Sequence, residues 1–364
     1  MKKIFKSLLK ILKWIFIVLV AFLVILLIVR FVGKTINNRT PDGGINETMY
    51  VDINGTKQWI NIYGQDKGNP VLLYLHGGPC VPTSGYDWSI LRKLSADYTV
   101  VNWDQRGCGH NYPAYKETEP ITAEQMLSDG IAMTDFLCEY LQKDKITLYG
   151  NSWGSIFAAN LALDNPGRYD ALIVSSLVVD PQESRTYFKE YMLEQSKDDP
   201  EIYSAAQQFD PALGLSEQNE LTLQLCYSKY SYTDDIFADS DFNWVSSVFF
   251  NPYCTLTELY YLLGSQPEYY NMLLDEHPYG DALCAQIPIG DRTEYEMPFY
   301  LIEGDKDYGP TTMVELAADY YEEVDAPDKE LFYINGGHGS PLLKCDQLAE
   351  IVHKIAEKQI EMQR

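Results

Sequence analysis

The chain has 364 residues and is 46% hydrophobic, which is enough for one large domain with an insertion or for two domains. Its 28 basic and 52 acidic residues give a formal net charge of −24. Because nucleic acids bind basic surfaces, this acidic excess argues against nucleic acid as a partner.

An apolar segment near the N-terminus has the length of a membrane span. An uncharged run extends from Trp14 to Val29, five lysines precede it, and Arg30 follows it. The run can cross a bilayer if the basic side chains at its ends reach towards the headgroups. No small-residue cleavage site follows, so we predict an uncleaved transmembrane helix within residues 1–34, with a secretory signal peptide as the alternative. The lysine excess places the N-terminus in the cytoplasm and the catalytic domain outside the cell membrane.

A linker and a β-hairpin are predicted next. Residues 35–47 are polar and contain asparagine, proline and glycine, which is typical of a linker. Met49–Ile53 and Gln58–Tyr63 then alternate apolar and polar residues on either side of Asn54-Gly55. An Asn-Gly pair between two alternating segments favours a hairpin.

Six apolar runs further along the chain are typical of strands that are buried on both faces. Helical patterns lie between several of them, for example at 121–142 and 311–321, and a closing helix is predicted over about 341–362. Strands that alternate with helices predict an α/β fold with a mostly parallel sheet and helices on both faces. The six runs are Val71–Leu75, Tyr98–Trp103, Ile146–Tyr149, Ala171–Val179, Pro298–Ile302 and Leu331–Ile334.

Residues 181–296 interrupt this pattern. They contain 21 acidic and 5 basic residues, a net charge of 5 − 21 = −16, and 13 of the 28 tyrosines. Short helices are predicted at 190–196, 213–230 and 255–261. We interpret the segment as a helical lid that is inserted into a core formed by 48–180 and 297–364.

The stretch around Ser152 has the pattern of a nucleophile on a sharp strand-to-helix turn. Gly150-x-Ser152-x-Gly154 follows the strand at Ile146–Tyr149 and precedes a run of small residues. On such a turn the serine hydroxyl projects above the sheet edge, and bulky residues two places away on either side would collide. An ordinary glycine-rich turn is the alternative.

Two further strand ends carry the partners that a serine nucleophile needs. Serine is a poor nucleophile at neutral pH, so it requires a base that is oriented by an acid. His338 follows the last strand, and Asp305 and Asp307 follow the strand before it. Because the carboxyl ends of parallel strands meet at one edge of the sheet, these side chains are expected near Ser152. The chain order Ser, Asp, His is that of the α/β-hydrolase fold.

The tetrahedral intermediate of such a reaction needs two backbone donors for its oxyanion. The N–H of Trp153 is one candidate, and Gly78, in the loop after Leu75, is the other. We expect neither a metal ion nor a cofactor. The seven cysteines form no C-x-x-C pair, so a zinc site is not indicated. We expect buried thiols, with one disulfide within 226–284 as the alternative.

Three motifs, taken in their order, resemble those of the proline iminopeptidase group of α/β-hydrolases. They are His76-Gly77-Gly78-Pro79, Asp104-Gln105-Arg106-Gly107-Cys108-Gly109 and Gly150-Asn151-Ser152-Trp153-Gly154-Ser155. The resemblance implies that Ser152 is the nucleophile and that Trp153 and Gly78 form the oxyanion hole. It also implies a mainly structural role for the loop at Asp104. In that family the acid follows a glycine by three places, which favours Asp307, three residues after Gly304, over Asp305.

The chain departs from the family in two places. Cys80 stands where the family usually has glycine, and the lid glutamates that bind a substrate's free amine have no clear counterpart. Glu258 and Glu268 are the candidates for that role. We therefore predict a membrane-anchored serine hydrolase that acts on a small molecule or a short peptide, and an aminopeptidase similar to the proline iminopeptidases. A carboxylesterase or lipase-like acyl hydrolase with the same triad is one alternative, and a catalytically inactive binding protein is the other.

Overall fold

An eight-stranded sheet forms the centre of the computed structural model, which describes residues 2–79, 83–114, 121–214, 219, 222, 225, 241–259 and 281–362. Its strands are β1 Ile45–Ile53, β2 Thr56–Gly64, β3 Val71–Leu75, β4 Thr99–Trp103, β5 Ile146–Asn151, β6 Tyr169–Ser175, β7 Phe299–Gly304 and β8 Lys329–Ile334. Their order across the sheet is β1-β2-β4-β3-β5-β6-β7-β8.

The sheet is antiparallel at one edge and parallel elsewhere. β1 and β2 form the predicted hairpin, in which Asn54 and Gly55 both have positive φ angles, of 48° and 80°. β2 pairs antiparallel with β4, and the pairs from β4 through β3, β5, β6 and β7 to β8 are parallel. The carboxyl ends of these parallel strands therefore lie along one edge, where the predicted site residues follow them.

Helices cover both faces of the sheet, as the sequence predicts. On one face, Met126, Phe157 and Leu161 pack into one core, and on the other face Ile90 and Val352 pack into a second. The helices of the described residues are α1 Lys2–Asn37, α2 Trp88–Leu91, α3 Ala123–Leu141, α4 Trp153–Asp164, α5 Pro181–Gln195, α6 Pro200–Gln208, α7 Trp244–Phe249, α8 Asp281–Cys284, α9 Val314–Glu323, α10 Ser340–Leu343 and α11 Cys345–Met362. Short 3-10 helices occupy Arg92–Ala96, Gly109–Ala114, Pro166–Arg168 and Pro211–Leu213.

The segment between β6 and β7 is helical wherever it forms regular structure among the described residues. The helix predicted at 190–196 begins earlier, because the Asp180 side chain accepts hydrogen bonds from the N–H groups of Gln182 and Glu183 and starts α5 at Pro181. Most of the helix predicted at 213–230 lies outside the described residues, whereas residues 256–259 of the helix predicted at 255–261 are helical. Cys254 and Cys345 are buried free thiols, as expected. Cys226, which the alternative disulfide could involve, lies outside the described residues.

The predicted linker is shorter than its polar composition suggests. α1 continues to Asn37, and β1 already begins at Ile45, so that only residues 38–44 connect them. Part of the reason is a long-range contact, because the Asn37 side-chain amide donates to the carbonyl of Phe250, 3.1 Å away. By length and composition, residues Ile4–Asn37 form a candidate membrane span, and most of this helix is exposed in the isolated chain.

Candidate active site

Ser152 lies on a strained turn between β5 and α4. Its φ and ψ angles are 55° and −122°, and a positive φ is unfavourable for a residue with a side chain. The turn leaves no room for side chains on either flank. A Cβ atom at Gly150 would lie 2.1 Å from the carbonyl oxygen of Gly154, and one at Gly154 would lie 1.9 Å from that of Leu75. The glycines are thus required by close backbone approach, and the hydroxyl of Ser152 projects at the sheet edge.

The structure brings Ser152, His338 and Asp307 together in one hydrogen-bonded chain. His338 Nε2 lies 3.0 Å from Ser152 Oγ, and His338 Nδ1 lies 2.8 Å from Asp307 Oδ2. The Ser176 hydroxyl donates to the backbone carbonyl of His338 at 2.7 Å, which holds the histidine loop against β6. Asp307 is fully buried, whereas the imidazole is 31% exposed and can be reached from above the sheet.

The two candidate acids have different partners. Asp307 bonds to the imidazole, whereas Asp305 accepts hydrogen bonds from the Gly336 N–H at 2.8 Å and from the Asn335 side chain at 3.1 Å. Asp305 therefore braces the loop that carries His338 and does not contact the ring through these bonds. Of these two carboxylates, Asp307 is therefore the one that contacts the imidazole.

Thr312 is a site residue that the sequence reasoning missed. Its hydroxyl donates to Asp307 Oδ1 at 2.9 Å, and its oxygen lies 3.2 Å from His338 Nδ1. The second carboxylate oxygen of Asp307 is thereby satisfied, which fixes the plane of the carboxylate. A lone threonine in a loop after a strand carries no pattern from which this contact could be predicted.

Burial and neighbouring charges shift the pKa values of two groups close to Ser152, His338 and Asp307. Burial lowers the pKa of His338, but the charge of Asp307 and its hydrogen bond outweigh burial, so the pKa of His338 lies above its ordinary value. At the end of β7, burial and then the charge of Asp307 hold the pKa of Glu303 well above its usual range, although the Leu177 N–H donates to its carboxylate at 2.6 Å. Burial and the neighbouring Asp307 therefore both favour the neutral form of the Glu303 carboxyl group.

The two residues predicted to supply the oxyanion donors belong to segments that lie next to Ser152. Trp153 is the first residue of α4, so its N–H has no acceptor within the helix. On the other side, a Cβ atom at Gly77 would lie 3.1 Å from Ser152 Cβ, which shows how closely the loop after β3 approaches the nucleophile. Gly78 follows with a φ of 119°, a conformation that favours glycine. Cys80 lies outside the described residues.

The loop at 104–111 contacts the residue that follows Ser152. The Trp153 indole donates to Gln105 Oε1 at 3.1 Å, and the Arg106 guanidinium makes two buried hydrogen bonds to Asp129, of 2.6 and 2.8 Å. Asp104 Oδ2 lies 2.6 Å from His110 Nδ1. Burial lowers the pKa of His110, but its hydrogen bonds to Asp104 and Cys254 raise it to about 10. The side chains of these ion pairs are almost completely buried.

The lid glutamates are not brought to the triad by any contact that the structure describes. Glu258 forms a capping box with Thr255: the Thr255 N–H donates to Glu258 Oε2 at 2.7 Å, and the Glu258 N–H donates to the threonine hydroxyl at 3.1 Å. Its carboxylate also lies near Lys34 at the end of α1. Glu268 lies outside the described residues. Within the described part of the chain, no group of three or more His, Cys, Asp or Glu side chains is arranged to hold a metal ion.

Comparisons with known proteins identify the fold. Residues 70–213 match a family model described as alpha/beta hydrolase fold. The protein has an α/β-hydrolase fold. Solved structures agree: a proline iminopeptidase from Mycobacterium smegmatis has a TM-score of 0.59 at 15% identity, with 87% of this chain and 100% of that chain covered. A thermophilic esterase from Thermogutta terrifontis has a TM-score of 0.54 at 18% identity, with 86% and 99% covered.

Among curated proteins, this chain resembles members of the proline iminopeptidase group. It is 36% identical over 147 residues to a probable aminopeptidase, YbaC, from Bacillus subtilis (strain 168). This match covers 40% of this chain and 46% of that protein. It is 28% identical over 128 residues to a proline iminopeptidase from Heyndrickxia coagulans, covering 35% and 42%. The matched stretch thus spans less than half the length of each of these relatives.

Proposed function

We propose that this α/β-hydrolase is a serine hydrolase that works through an acyl-enzyme. The observation that carries the proposal is the alignment of Ser152 Oγ, the His338 imidazole and Asp307 across hydrogen bonds of 3.0 and 2.8 Å on a strained turn. A hydroxyl, a base within reach of its proton and a buried acid behind the base are the parts that nucleophilic catalysis by serine requires.

Each residue then has a defined task. As Ser152 Oγ attacks the substrate carbonyl carbon, its proton moves to His338 Nε2, and the carbonyl oxygen becomes an oxyanion that the N–H groups of Trp153 and Gly78 stabilise. His338 next gives that proton to the leaving group as the bond to it breaks. Water then attacks the acyl-enzyme, again with its proton passing to His338, which returns it to Ser152. Asp307 keeps Nδ1 protonated throughout, so that Nε2 faces the serine.

For the substrate, we propose a free-amine peptide or amide, as the names of the curated relatives suggest, with residues 181–296 as the lid. The net charge of −16 of that segment supports the proposal, because carboxylates that line a cleft of low dielectric attract an ammonium group. Tyrosine rings add cation–π attraction of roughly 0.5 to 2 kcal/mol per contact. Since the capping box already engages Glu258, other acidic residues of the lid must supply part of this attraction.

N-acetylation of the substrate tests this proposal. We expect kcat/KM for an amino-acyl naphthylamide to fall at least about tenfold on acetylation, equivalent to roughly 1.4 kcal/mol, because the ammonium charge is lost. The measurement compares both substrates on the purified protein, and the preference should narrow as salt concentration rises. Equal rates, or activity on neutral esters alone, would instead favour the carboxylesterase alternative.

We also propose that α1 anchors the hydrolase in the cell membrane, with the N-terminus in the cytoplasm and the catalytic domain outside. The length and apolar composition of α1 support a span, and the lysines before it support the orientation. The hydrogen bond from Arg30 to the Cys254 carbonyl supports an uncleaved helix, because cleavage after the apolar run would remove this contact.

A fusion after Arg364 tests the orientation. An alkaline phosphatase reporter at this position should be active, because it folds only after translocation, whereas a reporter that requires the cytoplasm should be silent. The matched control places the same reporters directly before Lys2, where the opposite pattern is expected. Cytoplasmic activity of the fusion after Arg364 would reverse the proposed orientation.

A further inference from the structure

One stretch of the lid has a composition unlike the rest of that segment. Residues 242–257 contain no Asp, Glu, Lys or Arg, although 181–296 as a whole has 21 acidic and 5 basic residues. Aromatic and aliphatic side chains dominate it instead. These are Phe242, Trp244, Val245, Val248, Phe249, Phe250, Tyr253 and Leu256. We call residues 242–257 the interfacial segment.

The end of α1 is docked on the interfacial segment. Arg30 Nη2 donates to the carbonyl of Cys254 at 3.0 Å, and Arg30 Nη1 donates to that of Phe249. One turn further along, Gly33 lies so close to the Phe250 ring that an added Cβ atom would be 2.1 Å from it. Successive residues of the interfacial segment contact successive turns of α1. Phe249 contacts Arg30, and Phe250 contacts Gly33 and Asn37.

This docking fixes the height of the interfacial segment relative to a bilayer. The apolar part of α1 ends at Val32, and a helix rises about 1.5 Å per residue, so the contacts from Arg30 to Asn37 span on the order of 10 Å around that boundary. Arg30 is buried and donates to backbone carbonyls of the lid, so its charge is satisfied by protein at the edge of the apolar region. With α1 placed across a bilayer as proposed above, the interfacial segment lies at the boundary between the hydrocarbon and the headgroups.

Two large apolar side chains of the segment point away from the protein. Val245 is 80% exposed and Leu256 is 57% exposed. The Arg30 guanidinium lies 5.8 Å from the centre of the Phe249 ring. Val245 precedes Phe249 by four residues on α7, so both side chains lie on the same face of that helix, the face beside Arg30. Leu256 follows Cys254, whose carbonyl accepts from Arg30, by two residues.

We propose that the interfacial segment is a second membrane contact, in which Val245 and Leu256 insert into the outer leaflet beside α1. The partner is a phospholipid surface, and the inference rests on the membrane anchoring proposed for α1. Aromatic residues are enriched at the headgroup level, and burial of exposed apolar side chains in acyl chains is favourable. Residues 242–257 themselves carry no acidic side chain that would repel anionic lipids.

The segment is also fixed to the catalytic core. The Asn251 side chain donates to the carbonyls of Ser84 and Gly85, at 2.8 and 2.9 Å, and the Trp88 indole donates to that of Ser247 at 2.8 Å. A membrane contact here would therefore hold the catalytic domain in one orientation on the bilayer, which a single helix with a flexible linker would not do.

Photo-crosslinking of the full chain in vesicles of phosphatidylethanolamine and phosphatidylglycerol tests the inference. Benzoylphenylalanine replaces Val245 or Leu256 in the test variants. In a positive control it replaces Phe22, which lies in the middle of α1. In a negative control it replaces Tyr333, an exposed residue on β8, at the opposite edge of the sheet from β1. Mass spectrometry measures the fraction of protein that carries one phospholipid after irradiation, and fluorophosphonate labelling of each variant checks its fold.

We expect lipid adducts at positions 245 and 256 in a yield several-fold above that at position 333 and comparable with that at position 22. Yields at 245 and 256 no higher than at 333, together with adducts at 22, would overturn the second contact while the anchor remains supported. No adduct at 22 would overturn the anchor itself, and the second contact with it.

Discussion

The Ser152→Ala variant should lose hydrolysis by several orders of magnitude and should not be labelled by a fluorophosphonate probe. Ser152 Oγ is the atom within 3.0 Å of the proposed base, so its removal leaves no hydroxyl to form the acyl-enzyme. The residual rate would come from substrate binding and from the oxyanion donors alone. Labelling is followed by gel fluorescence, and hydrolysis is followed with the substrate that gives the highest kcat/KM.

Ser128→Ala is the matched control, because Ser128 is an exposed serine on α3, remote in sequence from the strand ends that carry the triad. Its labelling and rate should equal those of the wild type. Probe labelling that persists in Ser152→Ala would mean that another nucleophile reacts, and it would refute the triad assignment.

The second large effect is expected from Asp307→Asn. The loss in kcat should be on the order of ten-thousand-fold, the size of the effect of removing the orienting acid in a well-studied serine triad. An amide in place of the carboxylate no longer holds the proton on Nδ1, so Nε2 is no longer reliably available to take the serine proton. Asp305→Asn should cost far less, since Asp305 bonds to Gly336 and Asn335 and not to the imidazole.

The pH profile separates orientation from a merely structural defect. Only the neutral imidazole can accept the proton of Ser152, so kcat/KM falls as pH drops through the pKa of His338. Asp307 raises that pKa in the wild type, and the acid limb of the profile should therefore move to lower pH in Asp307→Asn. Asp305→Asn should leave the limb in place. A larger loss in Asp305→Asn than in Asp307→Asn would show that Asp305 is the orienting acid.

Much of the fold and of the site could be predicted because it depends on local patterns. Val71–Leu75 is apolar throughout since both faces of its strand are covered, and Asn54-Gly55 supplies two positive φ angles for a tight hairpin. Gly150 and Gly154 reveal the turn at Ser152, because only residues without a side chain fit there. The site residues follow such strands, so their convergence could be expected from a parallel sheet alone.

Contacts between distant parts of the chain could not be predicted in this way. Arg30 and Cys254 are 224 residues apart, and no local pattern indicates that α1 contacts the segment between β6 and β7. Thr312 and Glu303 likewise gain their surroundings only when β7 and the histidine loop are assembled. Glu258 is different, since Thr255 and Glu258 stand in the spacing of a capping box and this signal was available in the sequence.

The strained backbone at Ser152 lowers the stability of the folded protein at the position of the proposed nucleophile. A non-glycine residue in such a conformation costs of order 1–3 kcal/mol, which is a substantial part of the 5–15 kcal/mol that separates a typical folded domain from its unfolded state. Glycine at position 152 would relieve this strain and remove the reactive hydroxyl in the same step. Under the proposed function, the protein therefore carries this cost in stability in order to keep the hydroxyl at position 152.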